Sequence, residues 1–576
     1  MMLGRGRQCM PGRPWGRGAV FPRLGGAAGL LGLALLASLL GPSYGEIHWA
    51  TSFGSSSFDG AYGVSIDYLG SSFSTGKFAG IVPIAPGMVL KSHGEYDVFL
   101  VKTNTLGSSL WAMSMGGEGS DWARDVATDK AGNAYVAGSF SSSTATFDDS
   151  LMAYGSQLQN AGEFDIFLAK VNTRGSVMWA MRAGGTGFDY AQDVATDSMG
   201  NVYITGSFTS PRATFGSVTL EAQGATETYV VQVDAHANVK WGVRWGGSHG
   251  NALGYSLSTD AAGSCYVAGA FEGSVQIAPN LSLHSAGSWD IFVVKMATSL
   301  PVPGGVGIQT AGIIWAQSMG GSLNDAPKAL DTDRDGNLIV VGSFSSIAAQ
   351  FGSTILHVTG KDNGFRRTQT YTGHPDLFVA KINHLGSVDW AKGMGGAAEE
   401  NAYGVATDNM GGILVTGEYG SEDSMFGPFR LRSSGTRDIF LLKMATDGKV
   451  VAAVSAGGYL EDIGRDVAVD HVTGNYLVAG HFSSPSATFG SVTLTTRGGS
   501  DAFLLSLEDT HEAAEGGWKS VLWNLPKAKG VSFGGGEEWR WMELAFLITV
   551  VSMATNFMWG SFRKRYPGKA GGEGAG

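Results

Sequence analysis

One phrase of this chain, "DVATDSMGNVYITGSF" at residues 193–208, returns with variations along most of its 576 residues, and any fold must accommodate that repetition. Its first half ends at Asp67, Asp129, Asp197, Asp260, Asp333, Asp408 and Asp470, which makes seven copies. A second landmark follows each one: "YVAGSF" at 135–140, "YVAGAF" at 266–271, "LVAGHF" at 477–482 and, in the first copy, a looser "YLGSSF" at 68–73. A third opens as "DIFL" or a variant at Asp97, Asp165, Thr228, Asp290, Asp376, Asp438 and Asp501. The fourth centres on Trp49, Trp111, Trp179, Trp241, Trp315 and Trp390, with Val451 in the last place.

Short segments rich in β-branched and aromatic residues, separated by "MGN", "AGN" or "NTRG", read as strands joined by tight turns. Four strands per unit and seven units predict an all-β chain folded as a seven-bladed β-propeller of four-stranded blades. The chain opens on a Trp strand at 48–53, and the seventh unit stops at "DAFLLSL" without one of its own. The N-terminal strand therefore completes the last blade and leaves no open sheet edge. Gly138, Gly206, Gly269, Gly342, Gly417 and Gly480 fall inside the second strand, where glycine marks close backbone approach. The Asp that ends each phrase is placed to fold back on the next turn through its carboxylate.

These units resemble the SBBP-type β-propeller repeat, which combines a "VA-D-x-x-GN-x-YV-x-G" core, a "D-x-F-[LV]-x-K" strand and a "W-A" strand followed by Gly-Gly. The resemblance extends over residues 46–507. It implies the propeller fold and a secreted or surface protein, without implying one activity.

The two ends read as address and anchor. Arg5, Arg7, Arg13, Arg17 and Arg23 precede the apolar run "AAGLLGLALLASLL", the order of a signal peptide over residues 1–45, with a plastid or mitochondrial presequence as the rival. A linker at 508–540 leads to the apolar run at 544–560, read as part of a transmembrane helix over 541–562 with aromatic flanks. The basic tail at 563–576 then lies in the cytosol, and the propeller faces outside a plasma or other secretory-pathway membrane. A surface amphipathic helix is the alternative. Thr549, Ser552 and Asn556 form a polar stripe suited to a helix-mediated homodimer. The formal net charge of −11 speaks against nucleic acid as a partner. Of the two cysteines, Cys9 lies in the segment expected to be removed, so Cys265 has no partner and no disulfide framework exists.

The connectors after the Trp strands, such as "GGEGSD" and "GGTGFD", should ring one mouth of the channel. Asp59, Asp121, Asp189, Asp325, Glu400 and Asp462 there would attract cations, unless each merely caps its own loop. In "DTDRDGN", Asp331, Asp333 and Asp335 have the spacing of a calcium loop. Ile339 and Gly342 stand where further acids would be needed, so an ordinary acidic turn is the alternative. Three stretches read as insertions, at 76–96, 298–312 and 357–375; the last carries Lys361, Phe365, Arg366, Arg367 and Tyr371 and is a candidate recognition loop. Asn280 begins a glycosylation sequon. "GGSHG" has the letters of a nucleophile elbow but lies between two strands, so no catalytic residue is assigned. The chain thus reads as a membrane-anchored extracellular scaffold that recognises a protein or glycan, with calcium as the one candidate cofactor. A carbohydrate-active enzyme and a structural surface component without a ligand are the alternatives.

Overall fold

A computed structural model describes residues 47–147, 157–297, 312–359 and 374–508. Within them the chain is a seven-bladed β-propeller. The first blade runs outward from the axis as Gly60–Ile66, Ser72–Phe78, Asp97–Thr103 and Ser109–Met115. The innermost strands of the next six blades are Asp121–Thr128, Asp189–Thr196, Gly250–Thr259, Asp325–Thr332, Glu400–Thr407 and Asp462–Val469. Closure follows the expected route: Ile47–Phe53 pairs antiparallel with Asp501–Leu507, with Trp49 opposite Ser506 and Phe53 opposite Ala502.

The apolar core lies between blades. Tyr135, Ala137, Ile166 and Leu168 of blade 2 pack against Val194, Ile204, Phe208 and Tyr229 of blade 3, all of them buried, and equivalent clusters recur around the ring. A buried side chain of this size contributes roughly 1.5–3 kcal/mol, so each interface is held by area rather than by any one contact. The Trp of an outer strand then reaches the next blade. Trp49, Trp111, Trp179, Trp315 and Trp390 donate their indole N–H to the carbonyls of Thr105, Thr173, Ala235, His384 and Thr446 at 2.9–3.1 Å.

The repeated Asp is structural. Asp129 accepts the N–H groups of Ala131 and Asn133 at 2.9 Å, which fixes the turn, and equivalents recur from Asp67 to Asp470. The Lys of the third strand closes on the same group: Lys102 lies 2.9 Å from Asp67 and Lys381 lies 2.8 Å from Asp333.

Two sequence assignments are corrected. "YLGSSF" is mostly the turn after Asp67; the second strand of blade 1 is Ser72–Phe78, so Gly76 takes the place of Gly138. The stretch at 76–96 is not an insertion. It contains the end of that strand and a small hairpin, Ile81–Ala85 with Met88–Lys91. Every blade has such a hairpin between its second and third strands, and most lean on the preceding blade: Gly116 bridges Thr146, Gly320 bridges Gln350 and Gly395 bridges Met425.

The expected signal peptide, linker, transmembrane helix and tail lie outside the described residues. So do 298–311 and the loop residues Lys361, Phe365, Arg366, Arg367 and Tyr371. Among the described residues, no helix is long and apolar enough to cross a membrane.

Candidate binding site in the central channel

Each innermost strand slips register against the second strand at the same place. The shifts fall between Ala61 and Gly63, Ala123 and Asp125, Ala191 and Asp193, Gly254 and Ser256, Pro327 and Ala329, Ala402 and Gly404, and Gly464 and Asp466. The extra residue is Tyr62, Arg124, Gln192, Tyr255, Lys328, Tyr403 or Arg465, and a bulge of this kind re-aims the side chain it carries. All seven line one channel of about 760 Å³.

The second-strand glycines make room for the bulge. A methyl group at Gly138 would overlap the carbonyl oxygen of Trp122, two residues before Arg124. Gly76, Gly206, Gly269, Gly342, Gly417 and Gly480 face Gly60, Tyr190, Leu253, Ala326, Asn401 and Ile463 in the same way.

Cations and aromatic rings alternate in this ring. Arg465 lies over Tyr403 and Tyr62 at 4.6 and 5.8 Å, Arg124 over Tyr62 at 5.6 Å, and Lys328 over Tyr255 at 4.7 Å. Lys77 of the second strand adds a fourth cation, 4.3 Å from Tyr96 and 5.0 Å from Phe58. None of these four forms an ion pair among the described residues, and Arg465 Nε is buried with no hydrogen-bond partner. Burial, and then the neighbouring positive charges, lower the Lys328 and Lys77 ammonium groups; burial likewise lowers the Arg124 guanidinium. Burial, Arg465 and Lys77 also push His481 well below the usual imidazole range, so its ring is neutral. The carboxylate that acts on Lys328 is Glu418, which already accepts from Asn401, Tyr403 and Arg437 at 2.9–3.0 Å.

Farther along the inner strands the channel turns acidic, and each carboxylate grips the next blade around the ring. Asp466 accepts the Val64 N–H at 2.8 Å, Asp193 accepts the Ser256 hydroxyl at 2.6 Å and the Leu257 N–H at 2.7 Å, and Asp331 accepts the Thr407 N–H and hydroxyl at 2.8 and 2.9 Å. Burial raises all of them, the charge of Asp193 raises Asp125 further, and Asp466 is raised to about 7. A last tier of hydroxyls joins the blades: Thr128, Thr196, Thr259 and Thr332 each donate to the carbonyl at the equivalent place one blade back, and the Thr407 hydroxyl lies 3.0 Å from the Thr332 carbonyl as well as beside Asp331.

The connector acids are elsewhere. Asp59, Asp121, Asp189, Asp325, Glu400 and Asp462 expose at most 1 % of their surface, so they do not form the expected acidic mouth. Asp121 accepts the N–H groups of Gly117, Ser141 and Ser142 and the Ser142 hydroxyl at 2.6–3.1 Å. Ser210, Ser346 and Ser484 serve Asp189, Asp325 and Asp462 in the same way. The connector folds over its carboxylate because its own turn presents N–H groups that need an acceptor. Asp331, Asp333 and Asp335 are not brought together either. Asp331 binds blade 6, Asp333 is paired with Lys381, and Asp335 is an exposed turn residue. Among the described residues no group of three or more His, Cys, Asp and Glu could hold a metal ion. Asn280 sits exposed at the tip of the blade 4 hairpin.

Residues 107–139 match the family model for the SBBP beta-propeller repeat. That stretch of the propeller is similar to the SBBP repeat. An uncharacterized WD repeat-containing protein of Acanthamoeba polyphaga mimivirus is 23% identical to it over 467 residues, 69% of this chain and 32% of that protein. The regulatory protein FlaEY of Caulobacter vibrioides is 25% identical over 300 residues, 50% of this chain and 29% of its own. The chain thus spans about a third of the length of these curated relatives. Two solved structures align with 81% of it: Sqt1 of Chaetomium thermophilum, at 8% identity and a TM-score of 0.32, with 99% of that chain covered, and PhoX of Pseudomonas fluorescens, at 9% and 0.34, with 94% covered.

The ring residues escaped the sequence reading because they belong to neither alternation. A signal for them does exist. Two places before the Val of "VATD", or the Leu that replaces it in two copies, the repeat holds Tyr, Arg, Gln, Tyr, Lys, Tyr and Arg in turn, while the Asp that closes the phrase is the same in all seven copies.

Proposed function

We propose that this protein is a recognition scaffold held at a membrane surface, which takes its ligand at the channel mouth on the face of the Gly-Gly connectors. The observation that carries this reading is the ring itself. Turn acids, packing glycines and Trp clips repeat from blade to blade, whereas the seven side chains aimed into the channel differ and stay partly open to solvent. A closed propeller does not require that variety, and a binding surface does, because recognition needs a particular arrangement of polar and apolar groups in a concavity. Exposed apolar residues on the same face, Phe188 at 43 %, Tyr459 at 76 % and Leu460 at 37 %, extend the surface onto the connectors. The N-terminal apolar run and the run at 544–560 support presentation outside a membrane.

The test is binding of the full-length protein to immobilised cell-surface fractions. Wild-type protein binds, a Phe188→Ala, Tyr459→Ala double variant loses roughly tenfold or more, as truncated anchor residues do, and a Met199→Ala, Met410→Ala double variant on the opposite face binds like wild type. Equal loss in both variants, or no binding by wild type, would overturn the reading.

A further inference from the structure

We infer that the bulge ring is a site for the oxyanion group, a carboxylate, sulfate or phosphate, of a small organic ligand. This deepens the proposed recognition function and rests on it. Arg124, Lys328 and Arg465 converge on one channel from blades 2, 5 and 7, carried there by backbone bulges. Cations drawn largely into a channel normally sit against carboxylates, because an unpaired charge with reduced access to water is costly. Here they meet aromatic faces and one another, and Arg465 Nε faces no acceptor at all. The propeller's own acids do not relieve them, since Asp125, Asp193, Asp331 and Asp466 bind main-chain N–H groups of the next blade.

The missing counter-charge is therefore external. Arginine presents a planar fork of donors that matches oxyanions, and the Tyr62 and Tyr255 hydroxyls and the Gln192 amide add polar groups that line the same channel. The channel volume of about 760 Å³ falls within the range of small-molecule sites, roughly 300–1,000 Å³. An organic body on the ligand is indicated by the approach to Arg124. Trp122 and Tyr190, two residues before the ring in blades 2 and 3, stack at 6.5 Å and 16°, and Phe164 and Phe188 continue the cluster outward. Arg124 acts electrostatically on Tyr190, so ring and lip are contiguous.

The experiment is calorimetric titration of the full-length protein with glucuronate, glucose 6-phosphate, glucose 6-sulfate, inorganic sulfate and neutral glucose. At least one acidic sugar binds, glucose does not, and affinity falls with added salt. An Arg124→Gln, Arg465→Gln double variant loses tenfold or more, and Lys328→Gln separately loses affinity, which covers failure of the double variant to fold. Without ligand these variants melt no lower than wild type, because removing one of several mutually repelling cations relieves strain; a purely structural role would lower the melting temperature. The inference is overturned if none of the acidic probes binds, if glucose binds equally well, or if the variants keep full affinity. Inorganic sulfate binding as tightly as the acidic sugars overturns the organic part. Wild-type protein that binds cell-surface fractions but no acidic probe leaves the recognition reading standing and removes this one. The reverse pattern removes recognition at a surface and keeps the anion site.

Discussion

A single atom decides how each blade meets the channel. The bulge that turns Arg124 or Lys328 toward the axis exists because the opposite residue lacks a Cβ, so the carbonyl of Trp122 or Ala326 can press against bare backbone. Gly206→Ala therefore costs about 1–3 kcal/mol, the range for overpacking a well-filled site, read as a shift in the denaturation midpoint with an unchanged slope. An unchanged midpoint would mean that the bulge carries no strain. These glycines could be read from the sequence because a glycine in a strand has few reasons to be there. The ring residues could not, because strand alternation predicts inside or outside and a bulge inserts a residue that obeys neither. The connector acids misled for a related reason. Sequence placed them at the correct loops, but whether a carboxylate points outward or accepts from its own turn depends on N–H groups that spacing does not reveal.

At the scale of strands and turns, the blades are held by devices that cross from one to the next. The Trp clip is the simplest to isolate: Trp315 donates to the His384 carbonyl at 3.1 Å while its ring packs against Tyr266 at 6.1 Å between centroids. Trp315→Phe keeps an aromatic ring and removes the donor, so about 0.5–1.5 kcal/mol is lost, measured as a lower melting temperature. Trp315→Leu loses more because the ring goes as well; an unchanged melting temperature in Trp315→Phe would show that the hydrogen bond contributes nothing, and equal losses in the two variants that the ring adds nothing beyond it. The long strands and closure by Ile47–Phe53 were legible, since each has seven residues of clear pattern. The small hairpins were not. Their strands are three or four residues long in most blades, too short to show alternation, and "FGSVTL" passes for a polar loop although Ala213 and Phe215 within and before it are buried.

For the whole molecule, the distribution of buried acids sets the response to pH. Third-strand carboxylates lie beside the connector acids of the following blade: Asp97 beside Asp121, Asp290 beside Asp325, Asp376 beside Glu400 and Asp438 beside Asp462. Burial first, and then this like charge, raises Asp97 and Asp290 to about 6 and Asp376 and Asp438 to about 7. Asp97 and Asp438 each keep one buried oxygen without a hydrogen-bond partner, an arrangement that disfavours the charged carboxylate. An acid whose folded pKa exceeds its unfolded value, about 4, binds more protons in the folded state between the two. Stability then falls as pH rises through that window. Asp129, Asp333 and Asp408 run the other way: their carboxylates, held by turn hydrogen bonds and lysines, lie below the usual range, and their contribution is lost only in stronger acid. The melting temperature is therefore higher near pH 5 than near pH 8 at matched ionic strength, and it declines again below about pH 4. An Asp376→Asn, Asp438→Asn variant flattens the slope between pH 5 and 8, because a neutral amide no longer releases a proton there. A melting temperature that rises toward pH 8 in wild-type protein would mean that these carboxylates are ionised in the folded propeller and that each blade junction carries two negative charges.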